Sequence, residues 1–210
     1  MALGRSNVAS GEFSTAIGVG SDATGLRGTA MGSHSTAGAD FSLAIGNSTE
    51  DASGARVAVG ATNGIAIGRN ASVAEMGVNA LAIGSSASAT ALEATAVGRS
   101  SQATGDHSSA FGASSDASGR RSSAIGYDNF AAGDESNAFG IFNSAEGFRS
   151  SAFGYSSVAE GVQSSAFGLQ NHPEGVYSSA FGYQNYTAGT VNGAVAPEIY
   201  TELRSVTTWV

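Results

Sequence analysis

Cysteine and lysine are absent from this 210-residue chain, proline occurs twice and tryptophan once. Without cysteine there is no disulfide framework, although this alone does not fix the compartment. All nine basic residues are arginine, set against 17 acidic residues, and the net charge of -8 argues against a nucleic-acid partner. No apolar run reaches the roughly 18 residues a membrane-spanning helix needs, so direct membrane insertion is not expected of this segment. Large apolar side chains are also scarce, because alanine supplies much of the 41% hydrophobic content. Low charge with abundant Gly, Ser and Ala would suit a disordered chain, but apolar residues recur here at regular intervals. The 30 glycines lack the every-third-residue spacing of collagen.

What is present is a repeat. Taking the large apolar residue of each Ala-X-Gly triad as position zero, the series runs Leu3, Ile17, Met31, Ile45, Val59, Ile67, Ile83, Val97, Phe111, Ile125, Phe139, Phe153, Phe167 and Phe181. Eleven of the thirteen intervals are 14 residues, and the two exceptions are adjacent, 8 and then 16 residues. A degraded copy follows in register as Ala194-Val195-Ala196. A second landmark, Ala-x-Gly, sits eight and six residues before position zero, as in Ala103 and Gly105 or Ala159 and Gly161. Two glycine corners separated by short β-compatible segments make one coil of an all-β, parallel β-solenoid. Helical repeats need periods above about thirty residues and few glycines.

If coils stack in register, residues fourteen apart lie roughly 4.8 Å from each other. Five residues before zero, Asp106, Arg120 and Asp134 alternate in sign, and one residue later Arg121, Glu135 and Arg149 alternate in the opposite phase. Opposite charges on neighbouring strands favour that register. A single coil is expected to bury its zero-position Ile or Phe, some alanines and the residue at +2. Such burial contributes about 1.5–3 kcal/mol per large side chain, against an ordering cost of about 1–2 kcal/mol per residue. The roll is therefore expected to self-associate.

The units Ser14-Thr15-Ala16-Ile17-Gly18, Ser122-Ser123-Ala124-Ile125-Gly126 and Ser150-Ser151-Ala152-Phe153-Gly154, with partner segments such as Ser115-Asp116-Ala117-Ser118-Gly119, resemble the head repeat of trimeric autotransporter adhesins, the YadA-like heads. The resemblance covers about residues 1–196. It implies a left-handed parallel β-roll, a homotrimer, and attachment to a host surface protein, matrix or glycan from the bacterial outer membrane. Similar repeats occur in phage tail fibres, which makes a virion fibre the alternative. The chain departs from the family in carrying mostly Ser or Thr two before zero, where an aliphatic residue is frequent. No neck or membrane-anchoring barrel is recognisable. The opening MALGRSNVAS has neither the charged nor the apolar region of a secretory signal and begins in mid-repeat, as an excised segment would. Were Met1 the native start, the fibre reading would gain.

The expected organisation is a run of coils over 1–60, an irregular junction over 61–82, further coils over 83–196, and a cap or the start of a neck over 197–210. At the junction, Val59 to Ile67 reads as a shortened coil, with a hairpin at Asn63-Gly64 as the other reading. In the tail, Pro197 suits a first helical position, with Ile199, Leu203 and Val206 at helical spacing. Beyond the junction, position zero turns mainly to Phe and position +2 becomes Tyr127, Ile141, Tyr155, Leu169 and Tyr183. This stripe reads as a buried or subunit-contact surface, with an exposed adhesive surface as the alternative.

Glu146, Glu160 and Glu174 stack like charge on like charge. Either they fan into water at a corner or they share a cation or a basic ligand group. The Gly-Gly-x-Gly-x-Asp pattern of calcium-filled solenoids is missing. No cofactor is implied. His34, His107 and His172 occupy different repeat positions, which argues against a triad or metal cluster, and no GxxxxGK[ST] loop occurs. The serines follow the repeat without an activating base. The chain reads as a non-enzyme, with a carbohydrate-active solenoid or an ice-binding hydroxyl array as minor alternatives.

Overall fold

The computed structural model describes residues 1–48, 54–188 and the strand Gly193–Val195. Among these residues every regular element is a β-strand and every pairing is parallel. The chain winds as a β-solenoid. One sheet of 14 strands collects the Ala-X-Gly segments, from Ala2–Arg5 to Gly193–Val195. A second sheet of 11 two-residue strands collects the Ala-x-Gly segments, from Val8–Ala9 to Val158–Ala159. The register is the one expected from the period: Phe139 pairs with Phe153, Phe153 with Phe167, and Phe167 with Phe181. The degraded copy also stacks, Ala194 on Ala180 and Val195 on Phe181. The tail over 197–210, with the helical reading of Ile199, Leu203 and Val206, lies outside the described residues.

The interior differs from the expected one. Position zero does not fill the coil. Its neighbour at -1 does, and Ala16, Ala30, Ala44, Ala66 and their successors to Ala180 are fully buried. Strand alternation explains the swap, because residues at -2, 0 and +2 share one face while -1 and +1 share the other. Alanine suits the inner face because the coil is too narrow for anything longer. Most of the rest of the core is the Ala at -8, a Ser or Ala at -3 and a Ser, Asn or Ala at +4. Position zero, an Ile or Phe, therefore points outward and stays partly exposed.

The +4 asparagines tie successive coils together at a corner. Asn143 donates from Nδ2 to Phe139 O at 3.0 Å and to Gly154 O at 2.8 Å, one coil further on. Its Oδ1 accepts from Ser157 N at 3.0 Å. Asn129 and Asn171 make the same bonds. Buried carbonyls left without donors cost free energy, so these side chains hold the corner closed. Serine occupies this row in other coils, and Ser157 Oγ reaches Gly168 O at 3.3 Å. Asn143→Ser is thus expected to lower stability by about 1–2 kcal/mol without changing the fold, read by denaturant melts.

Most coils turn on two residues in the left-handed region that are not glycine, Gly20 being an exception. They fall at -4 and +3, for example Arg149 (φ 56°) and Ser156 (φ 51°). The corner glycines at -6 serve another purpose: an added Cβ on Gly147 would lie 2.1 Å from Gly161 O. Close approach of coils, rather than backbone conformation, is what that row requires.

The irregular segment is neither a shortened coil nor a hairpin. Ile45 pairs directly with Ile67, so Ala58-Val59-Gly60 only resembles a copy and Val59 is exposed. Val57 instead takes the -8 place, pairing with Ala37 and Val73. The coil is lengthened, with 22 residues from Ile45 to Ile67 and 16 from Ile67 to Ile83. Part of the extra length, 49–53, lies outside the described residues. In both coils two extra residues separate the inner landmark from position zero, Val57 from Ile67 and Val73 from Ile83, ten residues in place of eight, and the coil is wider there. The buried -8 residue grows to match, to Val57 and Val73, with Gly64 and Gly77 leaving room for their methyl groups.

Pro173 occupies the -8 place near the other end and is buried. Proline has no N–H to give a parallel ladder. Accordingly the regular pairing of the second sheet ends at Val158–Ala159 and resumes between His172–Pro173 and Tyr186–Thr187, although Val158 N still donates to Asn171 O at 2.8 Å and Glu160 N to Pro173 O at 3.2 Å.

Candidate functional site

The outer face of the 14-stranded sheet carries the apolar residues that the interior has no room for. Phe139, Phe153, Phe167 and Phe181 form a ladder of parallel rings, with centroids 4.8, 4.8 and 5.0 Å apart and interplanar angles of 2°, 4° and 2°. The -2 residues stand beside them and vary in compensation. Leu43, Ile65 and Leu81 accompany Ile45, Ile67 and Ile83, whereas every Phe at zero is preceded by Ser or, at 137, by Asn. The combined bulk of the two rows is held within limits, as it is where side chains fit against a surface.

The +2 stripe runs along the same face. Tyr127, Ile141, Tyr155, Leu169 and Tyr183 are all exposed, between 37% and 45%, so none is buried within its own chain. Phe142 joins them, making edge-to-face contacts with Tyr127 at 5.5 Å and Tyr155 at 5.9 Å. Sequence reasoning passed over Phe142 because it sits at a corner, with φ 58°, where a bulky residue is uncommon.

All but one of the alternating charges pair as expected; Asp106 instead accepts from Leu92 N at 3.3 Å. Arg120 lies 3.6 Å from Asp134, and Glu135 is held between Arg149 at 2.7 Å and Arg121 at 3.9 Å. The hydrogen bond from Arg149, helped by the surrounding arginines, lowers the Glu135 pKa. Exposed pairs of this kind fix register more than they stabilise. Asp134 Oδ1 also accepts from Arg120 N at 2.9 Å, tying that corner to its neighbour.

Asp116 is the opposite case. It lies in the second sheet between Gln102 and Phe130, its Oδ1 is shut from solvent without a hydrogen bond, and burial raises its pKa. A carboxyl whose folded pKa exceeds its unfolded value costs stability when ionised, and that cost disappears as the pH falls from above the folded pKa to below the unfolded one. Asp116→Asn is therefore expected to raise Tm at neutral pH, with the gain over the parent shrinking toward pH 4; melts across this pH range check it.

The glutamate row divides. Glu146 is turned onto its own strand and accepts from Ser144 Oγ at 2.8 Å. Glu160 and Glu174 converge on His172, whose Nε2 lies 2.9 Å from Glu160 Oε1 and 3.7 Å from Glu174 Oε1. Tyr186 OH donates to Glu174 Oε2 at 2.5 Å, which raises the tyrosine pKa, and its ring meets His172 edge-on at 5.6 Å. Sequence reasoning set His172 aside because it compared the histidines only with one another. The signal was present: His172 lies two residues before Glu174, on the same face of the strand. His107 pairs separately with Glu93 at 3.1 Å.

The model of the YadA head domain repeat matches residues 1–21, 23–49, 60–87, 77–99, 89–115, 117–141 and 145–171. No curated protein matches the chain.

Proposed function

Because the chain belongs to the YadA head repeat family, which matches it over most of its length, we propose that it is a non-enzymatic, trimeric head that projects from a bacterial outer membrane and attaches to host cells, matrix proteins or glycans. The observation that carries the reading is the outer face of the long sheet. It presents Phe139, Phe153, Phe167 and Phe181 in one continuous row, flanked by the +2 stripe. Monomeric proteins rarely expose so long an apolar strip, and such strips mark interaction surfaces. The alanine-filled interior adds to this, because alanine contributes little to a core and a coil this thin gains most by having its outer face covered. Three copies meeting on that face leave the second sheet and its corners to the outside, where a partner is met.

Light scattering and sedimentation of the intact chain should give three times the monomer mass. The same oligomer, screened on immobilised matrix proteins and cell-surface glycans, should bind at least one class. A stable folded monomer refutes the assembly, and a trimer that binds neither class refutes the attachment.

A further inference from the structure

The geometry points to a divalent transition-metal site at Glu160, His172 and Glu174, taking an ion of the Zn2+ class. The inference is independent of what the head attaches to. Residues at -9 and -7 share the outer face of the short strands, so His172 and Glu174 project side by side and Glu160 stands one coil below. One ligand atom from each lies within 4.8 Å of the others. The two carboxylates are stacked neighbours of the same sign, an arrangement that repels without a cation between them.

His172 supplies the second observation. Its Nε2 is shut from solvent and makes no hydrogen bond, although it lies 2.9 Å from Glu160 Oε1 and the rest of the side chain is 36% exposed. A buried imidazole nitrogen facing two carboxylates is a ligand set rather than a finished hydrogen-bond network. The surroundings orient the set. Tyr186 OH holds Glu174 Oε2 and leaves Oε1 toward the histidine, and the Tyr186 ring packs against the imidazole. Such outer-shell contacts hold metal ligands in place. Pro173, buried between two of the ligating residues, fixes the backbone they share.

One imidazole with two carboxylates discriminates between ions. Ca2+ and Mg2+ prefer shells made of oxygen, whereas a nitrogen ligand favours Zn2+ and its first-row neighbours. Three protein ligands leave a fourth position for water or a partner's group. The ion would clip adjacent coils where Pro173 has interrupted their ladder.

The test is titration of the intact, chelator-stripped protein with ZnCl2 by calorimetry, with Co2+ absorption as a direct report of coordination. One ion per chain is expected, with a visible Co2+ d–d band and a rise in Tm of roughly 5–10 °C at a hundredfold excess over Kd. His172→Ala and Glu160→Gln should each weaken Zn2+ binding at least about tenfold, and Tyr186→Phe by about tenfold or more. Glu146→Gln and His107→Asn should leave binding as it is. The site is refuted if Zn2+ gives neither heat nor a Tm shift, if His172→Ala binds as well as the parent, or if Ca2+ binds equally tightly. All these side chains lie at the surface, and melts without metal verify that each variant is folded.

Discussion

Gly154→Ala is expected to break the stack. The residue has φ 123°, and an added Cβ would lie 2.0 Å from Gly168 O and 2.8 Å from Gly168 C in the next coil. Both atoms are backbone, so no side chain can move aside, and any relief must come from opening the coils. The same place is glycine in each of the thirteen coils from Gly4 to Gly182. A cost above about 4 kcal/mol is expected, the size reserved for changes the surrounding structure cannot absorb. In a stack where each coil touches only its neighbours, that cost uncouples the two sides, so the melt should lose its single transition. Gly161→Ala offers the comparison. Its Cβ would also approach a carbonyl, Gly175 O at 2.1 Å, but its φ is not in the left-handed region, and the chain already places alanine in that row at Ala39 and Ala91. A loss of about 1–3 kcal/mol with one transition is expected there. Equal losses in the two variants would mean that backbone conformation contributes nothing at Gly154.

The period made the architecture legible, since a 14-residue repeat of two motifs leaves few ways to wind a chain. The paired charges at Arg120, Arg121, Asp134, Glu135 and Arg149 confirmed the register in advance. The direction of the side chains was harder to read. Ile and Phe look like core residues by composition, and only the width of the coil, invisible in the repeat, turns Ala152 inward and Phe153 outward. The misreading at Val59 has a related cause. The triad Ala58-Val59-Gly60 satisfies the motif locally, while the true landmark is Val57, which substitutes for alanine because its coil is wider. The site at His172 escaped because its ligands come from two rows that were read separately. The corners were half legible: glycine marked their places, but the left-handed residues are Ser, Arg, Gln and even Phe142.

Turning Phe153 and Phe167 outward makes the second large prediction. The double variant Phe153→Asp/Phe167→Asp changes neither the alanine core nor the corner bonds, so its effect is confined to the face of the long sheet. Each ring is stacked on its neighbours at 4.8 to 5.0 Å within the chain, yet remains partly open to solvent. If three chains meet on this face, covering each ring contributes up to about 1.5–3 kcal/mol, and the variant replaces that gain with six carboxylates brought together. Dissociation to monomer is expected, with a fall in Tm of at least roughly 10 °C, since each kcal/mol is worth about 2–4 °C at this size. The pair Tyr155→Ser/Leu169→Ser tests the adjoining stripe. Residues at zero and +2 project the same way, so this variant should weaken the trimer without dissolving it. A trimer of unchanged stability that no longer binds matrix proteins or glycans would assign the stripe to attachment instead. A Phe153→Asp/Phe167→Asp protein that remained trimeric would move the contact to another face and leave the aromatic ladder itself as the surface presented to the host.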